Sequence, residues 1–269
     1  SDSDMYTLGY SFRPWTDAKA IADGPSILRY LRETAAEYGI DRHIRFRHFV
    51  KSAAWSGAEA RWTVEVEIRD AAGAPIETRT LQCGFLHLCT GYYDYEEGHR
   101  PDFPGTDAYG GTLIHPQQWP EDLDHAGRRI LVIGSGATAV TLVPELAKDA
   151  AQVTMLQRSP TYMVARPDED AIANRLRRLL PSRLAYALTR WKNILLGQFF
   201  YDRARKQPEK VREFILDQIR PRLGEDCVAE HFTPRYDPWD QRMCLVPNGD
   251  LFDAVEQGLD LRADVVLAR

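Results

Sequence analysis

Arg129-Ile-Leu-Val-Ile-Gly134-Ser-Gly136-Ala-Thr-Ala139 decides the fold. Residues 130–133 form an unbroken apolar run, the pattern of a strand buried on both faces. The run ends on a G-x-G-x-x-A turn, and Ala137 to Lys148 follows with helical spacing. Ala151-Gln-Val-Thr-Met-Leu-Gln157 then reads as a second strand, so strand, helix and strand succeed one another at the size of one βαβ unit. The glycine spacing matters physically. Gly134 permits a tight turn, Gly136 omits the Cβ that would block a pyrophosphate, and Ala139 lets the helix pack close to the strand. The first helical amides lack intrahelical acceptors, and together with the positive dipole end they form a seat for an anion. Gly134, Ser135, Gly136, Ala137, Thr138 and Ala139 are therefore expected to hold the diphosphate of a dinucleotide. A glycine turn with no ligand is the alternative, and the complete βαβ context weighs against it.

The end of the second strand selects the dinucleotide. NAD and FAD sites place an Asp or Glu about 20 residues after the glycines, to bond the ribose hydroxyls. Here that place reads Gln157-Arg158-Ser159. A carboxylate would repel a 2′-phosphate, whereas the planar, permanently charged guanidinium of Arg158 fits it. NADP is the expected ligand, with Arg158 and Ser159 at its adenosine end. The competing reading of Arg158 is a solvated surface arginine.

Outward from this unit, the chain carries 269 residues, 44% of them hydrophobic, enough for a core. A net charge of −5 and a pI near 5.8 give no overall attraction to nucleic acid. Cys83, Cys89, Cys227 and Cys244 are scattered, without metal-ligand spacing, so reduced thiols and no metal site are expected. No apolar run approaches a bilayer span, and Ser1-Asp-Ser-Asp4 is no signal peptide, which together suggest a cytoplasmic location. The absence of an initiator methionine and the strand-like ending at Leu261 to Arg269 suggest a fragment.

Elsewhere, Pro25 to Tyr38 has the spacing of an amphipathic helix closed by Gly39. Residues 44–50, 61–68 and 76–83 alternate as hairpin strands about a turn at Asp70-Ala-Ala-Gly-Ala-Pro75. Gly84-Phe-Leu-His-Leu-Cys-Thr-Gly91 reads as a buried parallel strand, and Tyr92 to Pro120 as a linker. Residues 171–222 read as helical and hold 13 Lys+Arg against 4 Asp+Glu, a local excess of +9. Tyr236 to Arg242 reads as a loop, and Asn248 to Glu256 as a short capped helix.

These residues resemble a known family. Tyr109-Gly-Gly111-Thr-Leu-Ile-His115-Pro-Gln-Gln-Trp119, just ahead of the glycine motif, is similar to the F-x-G-x-x-x-H-x-x-x-W/Y fingerprint of the Baeyer-Villiger and related flavin-dependent monooxygenases. The departure is Tyr for Phe at 109. Ala137-Thr-Ala-Val-Thr-Leu-Val-Pro144, Gln157-Arg-Ser-Pro-Thr-Tyr162 and Pro238-Trp-Asp-Gln-Arg242 extend the resemblance along most of the chain.

The resemblance implies NADP and FAD as cofactors, with O2 and a small ketone or thioether as substrates. The implied reaction is oxygen insertion or sulfur oxidation through a C4a-peroxyflavin. It places His115 and Trp119 at a hinge serving NADPH, and Gln241 at the cofactor. It makes Arg242 the arginine that supplies positive charge beside the flavin, held by Asp2. The implied fold class is α/β: a Rossmann-type NADP-binding domain with a helical insertion over about 171–222, plus part of an FAD-binding domain bearing a β-meander. The domains are then 1–120, partial FAD domain and hinge, and 121–269, the NADP unit.

The family's first glycine motif, which cradles FAD, is absent from this sequence, so the chain alone is expected to bind FAD poorly and to aggregate. A non-catalytic NADP-binding fragment is the alternative function; a flavin-independent dehydrogenase is disfavoured because no Tyr-x-x-x-Lys follows the glycines. For the basic helical stretch, a subdomain packed through its Leu/Trp face is preferred over weak membrane-surface association, and nucleic acid ranks below both. Oligomeric state is not legible.

Overall fold

The computed structural model describes residues 4–241 and 243–262. They divide into two compact units: residues up to 27 together with those from 99 onward, and residues 28–98.

The smaller unit is entered through α2 (Gly24–Glu37), whose chain turns at Gly39 with φ 62°, a conformation glycine adopts without strain. Its sheet is an antiparallel meander in the order β1 (His48–Ser56), β2 (Arg61–Arg69), β3 (Pro75–Cys83). The alternation of β2 puts Val64 and Val66 on the buried face. The β2–β3 turn is set by Asp70, whose Oδ1 accepts the amides of Ala72 at 2.8 Å and Ala74 at 2.9 Å. β1 starts later than residues 44–50 suggest. Arg47, at φ 58°, breaks the pleat, and its carbonyl instead takes the amide of Arg69.

The expected strand at Gly84–Gly91 does not form. Those residues are irregular, with Phe85 82% and Leu88 66% exposed. A parallel strand needs a hydrogen-bonded neighbour, and none of the described strands lies beside it.

In the larger unit the βαβ prediction holds: β4 (Arg129–Ile133), α3 (Ala137–Leu146) and β5 (Gln152–Leu156). β4 and β5 pair in parallel, and β8 (Asp260–Arg262) extends the sheet beyond β5, giving the order β4-β5-β8. A second parallel pair, β6 (Met163–Arg166) with β7 (Cys244–Pro247), was not foreseen. Four-residue apolar runs carry too little period to separate strand from helix. The core lies between these sheets and the helices, on Val140, Val143, Met155, Leu251 and the T-shaped pair Phe232–Phe252 at 5.7 Å.

The helical insertion is real: α4 (Ala171–Leu179), α5 (Ser182–Lys206), α6 (Pro208–Asp217), α7 (Arg220–Leu223) and α8 (Glu225–His231). Asp170 caps α4, accepting the Ala173 amide at 2.9 Å while paired with Lys192 of α5. Between β7 and β8 lies α9 (Asp250–Glu256), entered by Gly249 at φ 80° rather than capped by the side chain of Asn248.

α5 corrects the expectation that it packs through its Leu/Trp face. The residues it buries are Ala185, Tyr186, Thr189, Asn193 and Ala204. Tyr186 and Asn193 meet the segment around α1 (Met5–Leu8), which offers backbone carbonyls together with the Tyr6 ring, its centroid 6.3 Å from that of Tyr186. Arg190 Nη1 donates to the carbonyls of Tyr6 (2.8 Å), Thr7 (2.8 Å) and Gly9 (3.0 Å), while Asn193 Nδ2 donates to Asp4 at 2.8 Å. Polar groups therefore face inward on this helix, and its large apolar side chains remain exposed. Among the described residues no helix is long and apolar enough to cross a membrane.

Candidate nucleotide-binding site

β4 delivers the chain to Gly134, which turns at φ 134°, a region costly for any residue with a Cβ. Gly136 then caps α3 in extended backbone, at φ −79° and ψ −179°. A Cβ at Gly136 would meet no protein atom within 4 Å. Internal packing therefore does not require glycine there, whereas a ligand lying close to the backbone would. The first helical carbonyl bond is Val140 N–H to Gly136 at 3.0 Å; no backbone carbonyl among the described residues takes the amides of Gly136, Ala137 or Thr138. Ala139 is buried, in keeping with a close-packed third position. Unengaged amides, an open approach and a helix N-terminus are a donor set suited to a diphosphate.

The segment bearing Arg158 is stitched to this turn. Gly134 N–H donates to the Leu156 carbonyl at 2.8 Å, tying the turn to the last residue of β5. Ser135 Oγ donates to the Ser159 carbonyl at 3.3 Å and lies 3.4 Å from Thr161 Oγ1. Arg158 falls between these anchors, exposed and in no ion pair among the described residues. Such a cation is available to an incoming anion, and the segment that carries it is bonded to the glycine turn through Leu156 and Ser159. Sequence reasoning did not single out two neighbours. Gln157 is buried, with Nε2 bonded to the His231 carbonyl at 2.9 Å and Oε1 without a partner among the described residues. Tyr162 is fully buried and donates to the Tyr236 carbonyl at 2.8 Å. Burial pushes the Tyr162 phenol above its ordinary pKa, against the opposing pull of the Arg212 guanidinium bonded to it at 2.9 Å. Neither residue had a motif to flag it.

His115 and Trp119 flank a 3-10 turn at Pro116–Gln118. His115 Nδ1 accepts the Gln117 amide at 3.2 Å, which leaves Nε2 as the nitrogen carrying the ring proton. Trp119 stands edge-on to His125, with ring centroids 6.2 Å apart. The Tyr109 ring fills the space into which a side chain at 111 would project, giving the fingerprint's aromatic-to-glycine spacing a steric reason. Gln241 is exposed and bridges Pro238 within the 236–241 loop. That loop is fastened by Tyr162 to Tyr236, Arg212 to Asp237 at 2.7 Å, and Arg205 to Asp240. His115, Trp119 and Gln241 make no hydrogen bond to the glycine turn among the described residues. Asp2 and Arg242 lie outside the described residues.

Comparison with known proteins gives the wider context. Residues 14–217 match the family model for flavin-binding monooxygenase-like proteins. The chain is 56% identical over 260 residues to the FAD-containing monooxygenase EthA of Mycobacterium tuberculosis, covering 96% of this chain and 52% of that protein. It is 47% identical to the probable FAD-binding monooxygenase AlmA of Acinetobacter baylyi, covering 96% and 51% respectively. The chain thus spans about half the length of the curated relatives it matches. Among solved structures, an oxidized steroid monooxygenase bound to NADP superposes with a TM-score of 0.72 at 25% identity, over 98% of this chain and 56% of that one. OTEMO in complex with FAD and NADP shares the fold, with a TM-score of 0.70 at 20% identity, over 97% of this chain and 56% of that one.

Proposed function

The chain belongs to the flavin-binding monooxygenase-like family, and from that premise we propose that it is the NADP-binding portion of an NADPH- and FAD-dependent monooxygenase acting on ketones or thioethers. The observation that carries the reading is the juxtaposition of unengaged amides at Gly136 to Thr138 with a free guanidinium at Arg158, joined by the Gly134–Leu156 bond. A diphosphate fits the first, and a ribose 2′-phosphate the second. When bound, NADPH supplies hydride and FAD activates O2.

This chain's residues supply binding, orientation and charge. Gly134 to Ala139 seat the diphosphate, and Arg158 with Ser159 selects the phosphorylated ribose. His115, as a Nε2–H donor beside the exposed Trp119, serves the nicotinamide end at the hinge. Arg242 places a fixed positive charge where negative charge develops, and Asp2 orients it. Support for these last two is that both flanking segments are anchored: 4–9 by Arg190 and Asn193, and 236–241 by Tyr162, Arg205 and Arg212. In this reading residues 1–120 contribute to the FAD domain and hinge, and 121–269 form the NADP unit. Among the described residues the G-x-G-x-x-A spacing between strand and helix occurs at Gly134 to Ala139, and the 269-residue chain by itself is expected to hold FAD poorly.

The test is calorimetric titration with NADP+ and NAD+, followed by product analysis of the flavin-loaded full-length protein with a ketone and a thioether. Equal affinity for the two nucleotides overturns the NADP assignment. An absence of both NADPH oxidation and oxygenated product overturns the reaction and leaves the alternative of a non-catalytic nucleotide-binding protein.

A further inference from the structure

α5 is inside out for a helix of a water-soluble protein. Stepping about 100° per residue, Leu184, Leu188, Trp191, Leu195 and Phe199 fall within an arc of roughly 80°. The inward residues Ala185, Tyr186, Thr189, Arg190 and Asn193 centre roughly 150° away on the same count. All five of the first group are exposed, Trp191 by 62% and Leu195 by 63%, and Leu179 of the adjoining α4 by 70%. The inward set is held by hydrogen bonds to the 4–10 segment, so rotating the helix to bury the leucines would strip those carbonyls of their donors. Among the described residues the apolar stripe is therefore fixed facing away from the 4–10 segment.

Charge indicates what it faces. Arg183 and Arg203 stand on opposite flanks of the stripe, the Arg203 guanidinium 5.9 Å from the Phe199 ring centroid, and Arg175, Arg178 and Lys206 are exposed at its ends. None of these five joins an ion pair among the described residues. Across 171–206 the acidic residue is Asp202, which accepts from Gln198 at 2.9 Å. A protein partner could match the leucines, but a partner that also satisfies an unpaired cationic rim must be anionic along both flanks. We propose that the α4–α5 face is a membrane-surface anchor: it lies in the headgroup layer of an anionic bilayer with Leu188, Trp191 and Leu195 toward the acyl chains and the arginines on lipid phosphates. The anchor does not span the bilayer, and it does not depend on the nucleotide assignment.

The test is co-sedimentation of the full-length protein carrying this chain with phosphatidylcholine vesicles, with and without phosphatidylglycerol, at low and high salt. The wild type pellets with the anionic vesicles and is partly released by salt. Trp191→Glu with Leu195→Glu lowers partitioning at least about tenfold, with an unchanged melting temperature because both positions are exposed. Arg183→Gln with Arg203→Gln abolishes the preference for anionic over neutral vesicles. Three results overturn the proposal. One is no binding by the wild type. Another is vesicle binding by the Glu variant equal to wild type. The third is a Glu variant that melts earlier or changes oligomeric state while neither protein binds vesicles, which would mean that protein covers the face. Binding to duplex DNA in place of vesicles, lost in the arginine variant, likewise overturns it.

Discussion

Replacing Arg190 by Met tests how the N-terminal segment is held. The substitution keeps an unbranched apolar stem and removes the donors. Arg190 Nη1 reaches the carbonyls of Tyr6, Thr7 and Gly9, and the hydroxyl of Tyr186 at 3.2 Å. The Gly9 carbonyl keeps a second donor in Tyr186 Oη at 3.1 Å, so the variant leaves two carbonyls short, those of Tyr6 and Thr7. Both acceptors are part-buried, and each left without a donor costs about 1–2 kcal/mol, the lower part of the range for a buried group, so the loss should be about 2–4 kcal/mol. For a domain of this size that corresponds to a fall in Tm of about 5–15 °C. Differential scanning calorimetry measures it, with Tyr186→Phe as a graded control: Arg190 still serves Gly9, and the expected cost is about 1 kcal/mol. An Arg190→Met protein melting within about 1 °C of wild type, below the shift expected even for one weak hydrogen bond, would refute the claim that the guanidinium holds these carbonyls.

Arg158→Ala should weaken NADP+ binding by about ten- to a hundredfold, leave NAD+ affinity and Tm nearly unchanged, and be read by calorimetry, since the side chain engages only the incoming phosphate. Gly136→Ala should lose nucleotide binding at constant Tm because the new methyl meets no protein atom, whereas Gly134→Ala, at φ 134°, should also lose about 1–3 kcal/mol of stability. For Asp170, burial alone would raise the carboxyl, but bonds from the Lys192 ammonium and the Ala173 amide outweigh it and hold it below its usual value. A depressed folded value contributes stability above the unfolded pKa near 4 that is lost as pH falls through the folded one. Asp170→Asn, which keeps the cap, should therefore destabilise at pH 7, with the difference closing in acid, as followed by urea denaturation from pH 7 to about 2.5.

The βαβ unit was legible because an apolar run, two glycines at fixed spacing and a helical period coincide within Arg129 to Leu156. The meander was legible through alternation and the Asp70 turn. Three features were not. Gly84–Gly91 has strand composition, but composition cannot supply a pairing partner. β6 and β7 are too short to show a period. The orientation of α5 escaped because hydrophobic patterning assumes that leucines turn inward, and here the carbonyls around Thr7 claim Arg190 and the Asp4 carboxylate claims Asn193 instead. At the candidate site, Gly134 to Ala139 and Arg158–Ser159 stand in contiguous motifs, whereas Gln157 and Tyr162 are bonded to partners 74 residues away that no local spacing reveals.

The bonds from Gly134 to Leu156 and from Ser135 to Ser159 make the glycine turn and the segment bearing Arg158 one mechanical piece. Nucleotide choice on this scaffold should consequently be exchangeable at position 158 alone: swapping the guanidinium for a carboxylate would redirect preference while the cradle, braced independently by its own backbone, stays intact. A lineage could retune its electron donor by a single codon change without redesigning the turn.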